Sequence, residues 1–317
     1  MKKTLILTAL AAATVAPAFA QSSVTVYGRL NVTVESRKIG ADTDKGVFNN
    51  SSRIGFKGVE DLGGGLKAGF LIEHGFNPAT GTAAGTFWGR ESNVWLAGSF
   101  GKLRLGNMGP TMAYFTTADY ISNHNHDTGI SSDAFYLYPG RGSNMIAYTS
   151  PALGGLTIDA QVAEKRIGDL GRTVVLTGNY EGGPLHLGAS YEKDGDHREL
   201  GVRGAYDIGA VTVGAYYIRN NDIAGVAGAD RTSWRLSGMY TMGATELHLN
   251  YGKAGEIGGV ANTDATQVTL GVNYNLSKRT KVYGFYTKVN NETAAAYVSG
   301  AAGADVSSLA LGVRHNF

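Results

Sequence analysis

The chain contains no cysteine, only six prolines and, beyond its first twenty residues, no apolar run approaching the ~18 residues that a membrane helix requires. Without cysteine, neither a disulfide framework nor a thiolate metal site can be built. An excess of one charge is missing too, with 28 basic against 26 acidic residues. A general nucleic-acid binder, whose footprint is strongly basic, is thereby disfavoured. Catalytic signatures are equally scarce. No His-x-x-x-His zinc spacing, no phosphate-binding glycine loop ending in Lys-Ser or Lys-Thr and no serine in a nucleophile elbow occurs, and the seven histidines are scattered.

At the N-terminus, Lys2 and Lys3 precede an apolar run from Leu5 to Val15 that ends in Ala18-Phe19-Ala20. This is the pattern of a secretory signal with an A-x-A cleavage site, too short to cross ~30 Å of hydrocarbon. Residues 1–20 are therefore expected to be removed after Ala20, leaving residues 21–317 as one domain. Losing Lys2 and Lys3 leaves 26 charges of each sign, a formally neutral chain.

What fills the remainder is a dyad rhythm. From Val306 to the terminus, Leu309, Leu311, Val313, His315 and Phe317 share one face, while Ser308, Ala310, Gly312, Arg314 and Asn316 share the other. Sixteen such segments are readable: 24–37, 51–60, 66–76, 87–98, 102–106, 141–149, 156–164, 172–180, 184–192, 198–206, 211–218, 233–241, 245–253, 267–275, 281–289 and 306–317. Short connections such as Asp61 to Gly65 and Gly182-Gly183 alternate with long ones, namely Ile39 to Asn50, Asn77 to Thr86, Asn107 to Gly140, Asn221 to Thr232, Ala254 to Thr266 and Asn290 to Asp305. Pro78, Pro110, Pro139, Pro151 and Pro184 all fall in connections or at a strand start, where no ladder bond is lost. Alternating ten-residue segments with tight turns on one rim and long loops on the other describe an all-β, transmembrane, antiparallel up-and-down β-barrel of about 16 strands, crossing the bacterial outer membrane.

The polar parity must then face a wet interior, because Lys or Arg near the bilayer midplane costs about 2–4 kcal/mol. Inward positions include Arg29, Arg53, Lys57, Lys67, Arg104, Arg141, Arg203, Arg235 and Arg314, with Glu73, Asp159, Glu192, Glu199 and Glu246 on the same face. Outward tyrosines such as Tyr180, Tyr206, Tyr240 and Tyr274 suit interfacial girdles. One segment resists: over 87–98, placing Arg90 inside sends Glu91 and Asn93 toward lipid, so this wall is expected to face another subunit. The long connection Asn107 to Gly140 exceeds the ~12–15 residues of an ordinary loop. Its aromatic content suits a loop folded back into the lumen, presenting Asp119, Asp127 and Asp133 across from the arginines.

The stretch Ser51-Ser52-Arg53-Ile54-Gly55-Phe56-Lys57-Gly58-Val59-Glu60-Asp61-Leu62-Gly63-Gly64-Gly65-Leu66-Lys67-Ala68 resembles the second and third strands of the general porins of β-proteobacteria and Neisseria. Gly98 to Gly106, Tyr148 to Leu156, the opening Val24 to Gly28 and the ending Gly312 to Phe317 carry the same resemblance. It implies a trimeric, sixteen-stranded, water-filled porin whose third long loop enters the channel, with Arg53, Arg90 and Arg141 as the basic side of the constriction. It further implies that terminal Phe317 is read by the barrel-assembly machinery, and that outer-membrane lipid, lipopolysaccharide, small anions and hydrophilic solutes are the partners. No cofactor, metal or nucleic acid is implied. The chain departs from the family in carrying His124 and His126 in that loop; they read first as a mobile polar loop tip, and, if both sit in the constriction, as groups that acidification would charge, increasing anion preference.

Passive diffusion of small hydrophilic solutes and ions, with preference for anions, is the expected function. An outer-membrane hydrolase lacks its motifs here. A structural or adhesive barrel would have closer to eight strands and an interior filled by side chains, whereas about sixteen leave an aqueous channel. A substrate-specific sugar channel would carry an aromatic ladder on the inward parity, yet most aromatics lie on the outward one.

Overall fold

The computed structural model describes residues 23–121, 134–140, 142–167, 169 and 171–317. The proposed signal, residues 1–20, lies outside them. Sixteen wall strands form one closed antiparallel sheet. In chain order they are β1 (Ser23–Ile39), β2 (Asp42–Asn49 continued by Arg53–Gly63), β3 (Leu66–Asn77), β4 (Glu91–Gly98), β5 (Gly101–Asn107), β6 (Met145–Thr149), β7 (Leu156–Ala163) and β8 (Thr173–Gly182). The second half comprises β9 (Leu185–Asp194), β10 (His197–Ile208), β11 (Val211–Asn221), β12 (Arg231–Met242), β13 (Thr245–Ala254), β14 (Ala265–Asn275), β15 (Thr280–Asn291) and β16 (Val306–Asn316). Closure is direct: β16 pairs with β1 from Arg29↔Asn316 to Ile39↔Val306, and Gly28 and Phe317 exchange backbone bonds of 3.1 Å. A closed ring of this kind satisfies every wall peptide without water, the condition for spanning lipid.

Side chains alternate as the dyad rhythm requires. Outward positions carry exposed apolar groups, among them Leu309, Leu311 and Val313, while inward neighbours such as Asn31, Thr269 and Ser308 are buried and hydrogen-bonded. Tyr206, Tyr240 and Tyr274 stand outward beside the short turns, on one rim of the apolar belt.

Three segments differ from the expectation. Ile39 to Asn50 is not a long loop: β1 runs to Ile39, turns at Gly40-Ala41, and β2 returns at once against it, Ile39↔Asp42 through Val32↔Asn49. This hairpin carries Thr43 and Lys45 outward, so it lacks the greasy face that would have betrayed it. Below it the register changes. Val32 faces Asn49 but Arg29 faces Arg53, so three residues, 50–52, oppose two on β1. This β-bulge, with Ser51 at φ 60° and Ser52 tied to Asn31, reverses the parity of β2 and turns Arg53 into the lumen.

Residues 87–98 differ as well. The strand begins only at Glu91, whose partner is Glu73. Glu91, Asn93 and Trp95 are therefore all lumenal, and Arg90, in the preceding connection, bends inward from outside the strand. The parity conflict disappears, and with it the need for a subunit wall to explain it. Phe87 and Trp88 fold instead over the outer surface, stacked and edge-on around His74, with Phe56 against Trp88. His74 sits at an outward position, and this cover leaves it 6% exposed. The strand expected over 141–149 is likewise shorter, starting at Met145.

Candidate channel constriction

After β5 the chain turns into the barrel. Thr111 leads a short helix, Met112–Tyr114, that runs on as a π-helical turn, Phe115–Asp119. It lies flat on the inner wall of β8 to β11 because that wall has been cleared. Gly188, Gly201 and Gly214 sit on three successive strands, and a Cβ added to them would stand 3.0 Å from Thr116 Cγ2, 2.7 Å from Thr117 Cγ2 and 2.9 Å from Ile121 Cδ1. Small loop residues match the bed, Ala113 and Ala118 being fully buried.

Polar groups pin the loop in place. Thr111 Oγ1 donates to Glu192 at 2.7 Å, the Met112 N–H to Gln161 at 3.1 Å, and Asn179 Nδ2 to Thr116 Oγ1 at 3.0 Å. Arg203 Nε donates to the Thr116 carbonyl at 2.5 Å, and its guanidinium lies 3.3 Å from the Tyr120 ring centroid. The returning limb is held by Tyr136, whose hydroxyl donates to Glu199 at 2.8 Å. Burial and the carboxylates Glu199 and Glu192 push the Tyr136 phenol well above its ordinary range, which keeps its proton available for that bond. Phe135 is fully buried among Ala254, Ala265, Val289, Val306 and Tyr297, and its carbonyl accepts from Arg231.

The lumenal cations consequently divide in two. Arg203, Arg231 and Arg235 are 5%, 2% and 0% exposed beneath or beside the loop, with their donors turned to Thr116, Phe135 and Gln267. Arg314 on β16, Arg29 on β1 and Arg53 on β2 stand in neighbouring strands and are joined by Arg90. Arg29 is the cross-strand partner of Arg53, and Arg314 pairs with Asn31, two residues along β1 on the same face. In a ring of sixteen strands, β1 lies eight strands from β9, so this basic row and the Thr111–Asp119 limb of the loop stand on opposite sides of the lumen. Glu73 on β3 is shared by the row, 2.6 Å from Arg90 Nε and 3.7 Å from Arg53 Nε. Arg104 stands 3.4 Å from Asp159, while Lys57 and Lys67 lie nearer the short turns.

Of the constriction residues expected from sequence, Arg53 and Arg90 are brought together, and Asp119 closes the π-helical turn on the loop. Arg141, Asp127, Asp133, His124 and His126 lie outside the described residues. Among the described residues, no group of three or more histidine, aspartate or glutamate side chains is placed to hold a metal. Sequence reasoning overlooked the bed itself. Its signal is the set of apolar residues on the wet parity, Val175, Ala205, Tyr216, Ile218, Ala254, Ala265 and Val289, which water alone would not select.

The geometry agrees with what the chain resembles. A family model described as Gram-negative porin matches residues 7–294. Outer membrane porin protein 32 of Delftia acidovorans is 31% identical across 100% of both chains. Major outer membrane protein P.IB of Neisseria meningitidis serogroup B is 33% identical over 65% of this chain and 59% of its own. Among solved structures, the anion-selective porin from Comamonas acidovorans superposes with a TM-score of 0.77 at 26% identity, covering 94% of this chain and 100% of that one. The trimer form of Vibrio cholerae OmpT superposes with a TM-score of 0.71 at 18% identity, over 93% and 99% of the two chains.

Proposed function

Since this chain belongs to the Gram-negative porin family and forms a passive channel through the outer membrane, we propose that it passes small hydrophilic solutes with a preference for anions. The observation that carries the preference is the row Arg314, Arg29, Arg53 and Arg90, across the lumen from the Thr111–Asp119 limb of the inserted loop. Guanidinium groups stay charged at any working pH. In a narrow passage with low-dielectric walls their field is focused, which raises local anion concentration. A solved relative of the same fold is itself described as anion-selective.

Arg53, Arg90 and Arg141 form the basic side of the filter in this reading, with Asp119, Asp127 and Asp133 supplying the opposite pole from the loop. Arg29, Lys57, Arg104 and Arg314 contribute to the same field. The working unit is a homotrimer, exported with residues 1–20 cleaved after Ala20 and assembled through recognition of Phe317. Its short turns face the periplasm, and lipid and lipopolysaccharide contact its outer belt. Transport needs no covalent step.

Planar-bilayer recordings in a salt gradient test the filter. Wild-type protein should give an anion-selective reversal potential, and replacing Arg53, Arg90 and Arg141 by alanine should move it toward the cation value. An unaltered potential would remove those three residues from the filter.

A further inference from the structure

We propose that Lys57 and Lys102 form a second anion-attracting station between the constriction and the short-turn rim, each ammonium held over a lumenal aromatic ring and left without a carboxylate partner. The proposal deepens the anion-selective reading above and rests on it.

The station is built twice from the same three parts. On β1 and β2, Tyr27 lies opposite Gly55, and a Cβ on that glycine would fall 2.5 Å from the ring. The Lys57 ammonium sits 5.2 Å from the centroid of the same ring. On β3 and β4, Trp95 lies opposite Gly69, where a Cβ would fall 2.3 Å from the indole. Lys102, on β5, places its ammonium 4.4 Å from that indole. In both cases a glycine lets an aromatic ring lie flat on the inner wall, and the ring's negative face fixes a lysine that would otherwise sweep freely. All six residues share the lumenal parity of Arg53 and Glu73.

What sets these lysines apart from Arg53, Arg90 and Arg104 is that each rests on a ring instead of a carboxylate. Arg53 and Arg90 share Glu73, and Arg104 stands against Asp159. Among the described residues, no carboxylate lies within 4 Å of the ammonium of Lys57 or Lys102. A cation resting on a ring keeps its full charge, so its field falls on mobile ions. Lys57 is four residues along β2 from Arg53, about 13 Å at the rise of a strand. An anion leaving the arginine row toward the short turns therefore meets a second positive surface before the rim.

Reversal potentials of wild type and the Lys57→Gln/Lys102→Gln double variant, recorded at two ionic strengths, test this. At ~0.1 M salt, where charge acts over about 10 Å, the anion-to-cation permeability ratio should fall about twofold in the double variant. At ~1 M, where that range shrinks to about 3 Å, the difference should nearly vanish. Lys57→Arg/Lys102→Arg should retain the wild-type ratio, and Tyr27→Leu/Trp95→Leu, which keeps both charges but frees them, should give an intermediate loss. Each variant is first shown to be folded by its heat-modifiable migration in SDS gels. An anion-preferring wild type whose ratio is unchanged in the glutamine double variant at ~0.1 M overturns the station. A wild type without anion preference overturns the parent reading instead, so the two failures are distinguishable.

Discussion

Arg203 and Arg53 occupy the same face of the same sheet, yet their charges act on different things. Arg203 spends its donors on the Thr116 carbonyl and Asn179 and its flat face on Tyr120. Arg53 keeps part of its guanidinium toward the lumen, with 18% of its side chain exposed. A Coulombic field reaches mobile ions only where the charge is not enclosed, so Arg203 belongs to the anchor of the loop. Replacing Arg203 by alanine should leave the reversal potential at its wild-type value. Its hydrogen bonds from a charged donor are worth about 1.5–3 kcal/mol, so the loop seat should loosen and open-channel noise should rise. A reversal-potential shift as large as that of Arg53→Ala would contradict this assignment. From sequence the two arginines are indistinguishable, because parity reports the face and says nothing of what else lies on it.

At the scale of elements, the inserted loop and its glycine bed form one unit. Gly188, Gly201 and Gly214 read in sequence as ordinary strand glycines; only the loop lying on them explains their placement. Gly201→Val would set a Cβ 2.7 Å from Thr117 Cγ2 and from Ser190 Oγ. Overpacking of this kind costs about 1–3 kcal/mol, and the cheaper response is for the loop to lift, since the wall is locked by hydrogen bonds on both edges. The barrel should still fold, while single-channel conductance should split into several levels. A single unshifted conductance level would show that the loop does not depend on this bed. The bulge at 50–52 is a device of the same scale. One extra residue decides that Arg53 rather than Ile54 enters the lumen, and the wet hairpin above it hid that strand from any search for a greasy face.

For the whole molecule, closure between β1 and β16 is what makes the sheet a channel. The last residue takes part, since Phe317 exchanges two backbone bonds with Gly28. Deleting Phe317 should lower the yield of folded, heat-modifiable protein, and an unchanged yield would separate the terminus from assembly. The proposed trimer and export are tested together by native mass spectrometry of protein purified from outer membranes in mild detergent. The expected particle is three copies of a chain beginning at Gln21. A single copy, or a retained N-terminal segment, would refute the corresponding proposal.

The period-2 alternation was enough to determine the fold class, nearly all strands and the face of most wall side chains, because lipid outside and water inside impose opposite polarity on successive residues; the inserted loop was legible from its length and aromatic content. Tertiary structure alone decided which lumenal cations look into open space. Enclosure beneath Thr116 and Phe135, sharing of Glu73 and support on Tyr27 or Trp95 are side-chain contacts made between one strand and another or between a strand and the loop. Such contacts leave no periodic trace, since a buried arginine, a paired one and a free lysine all read as polar at an inward position.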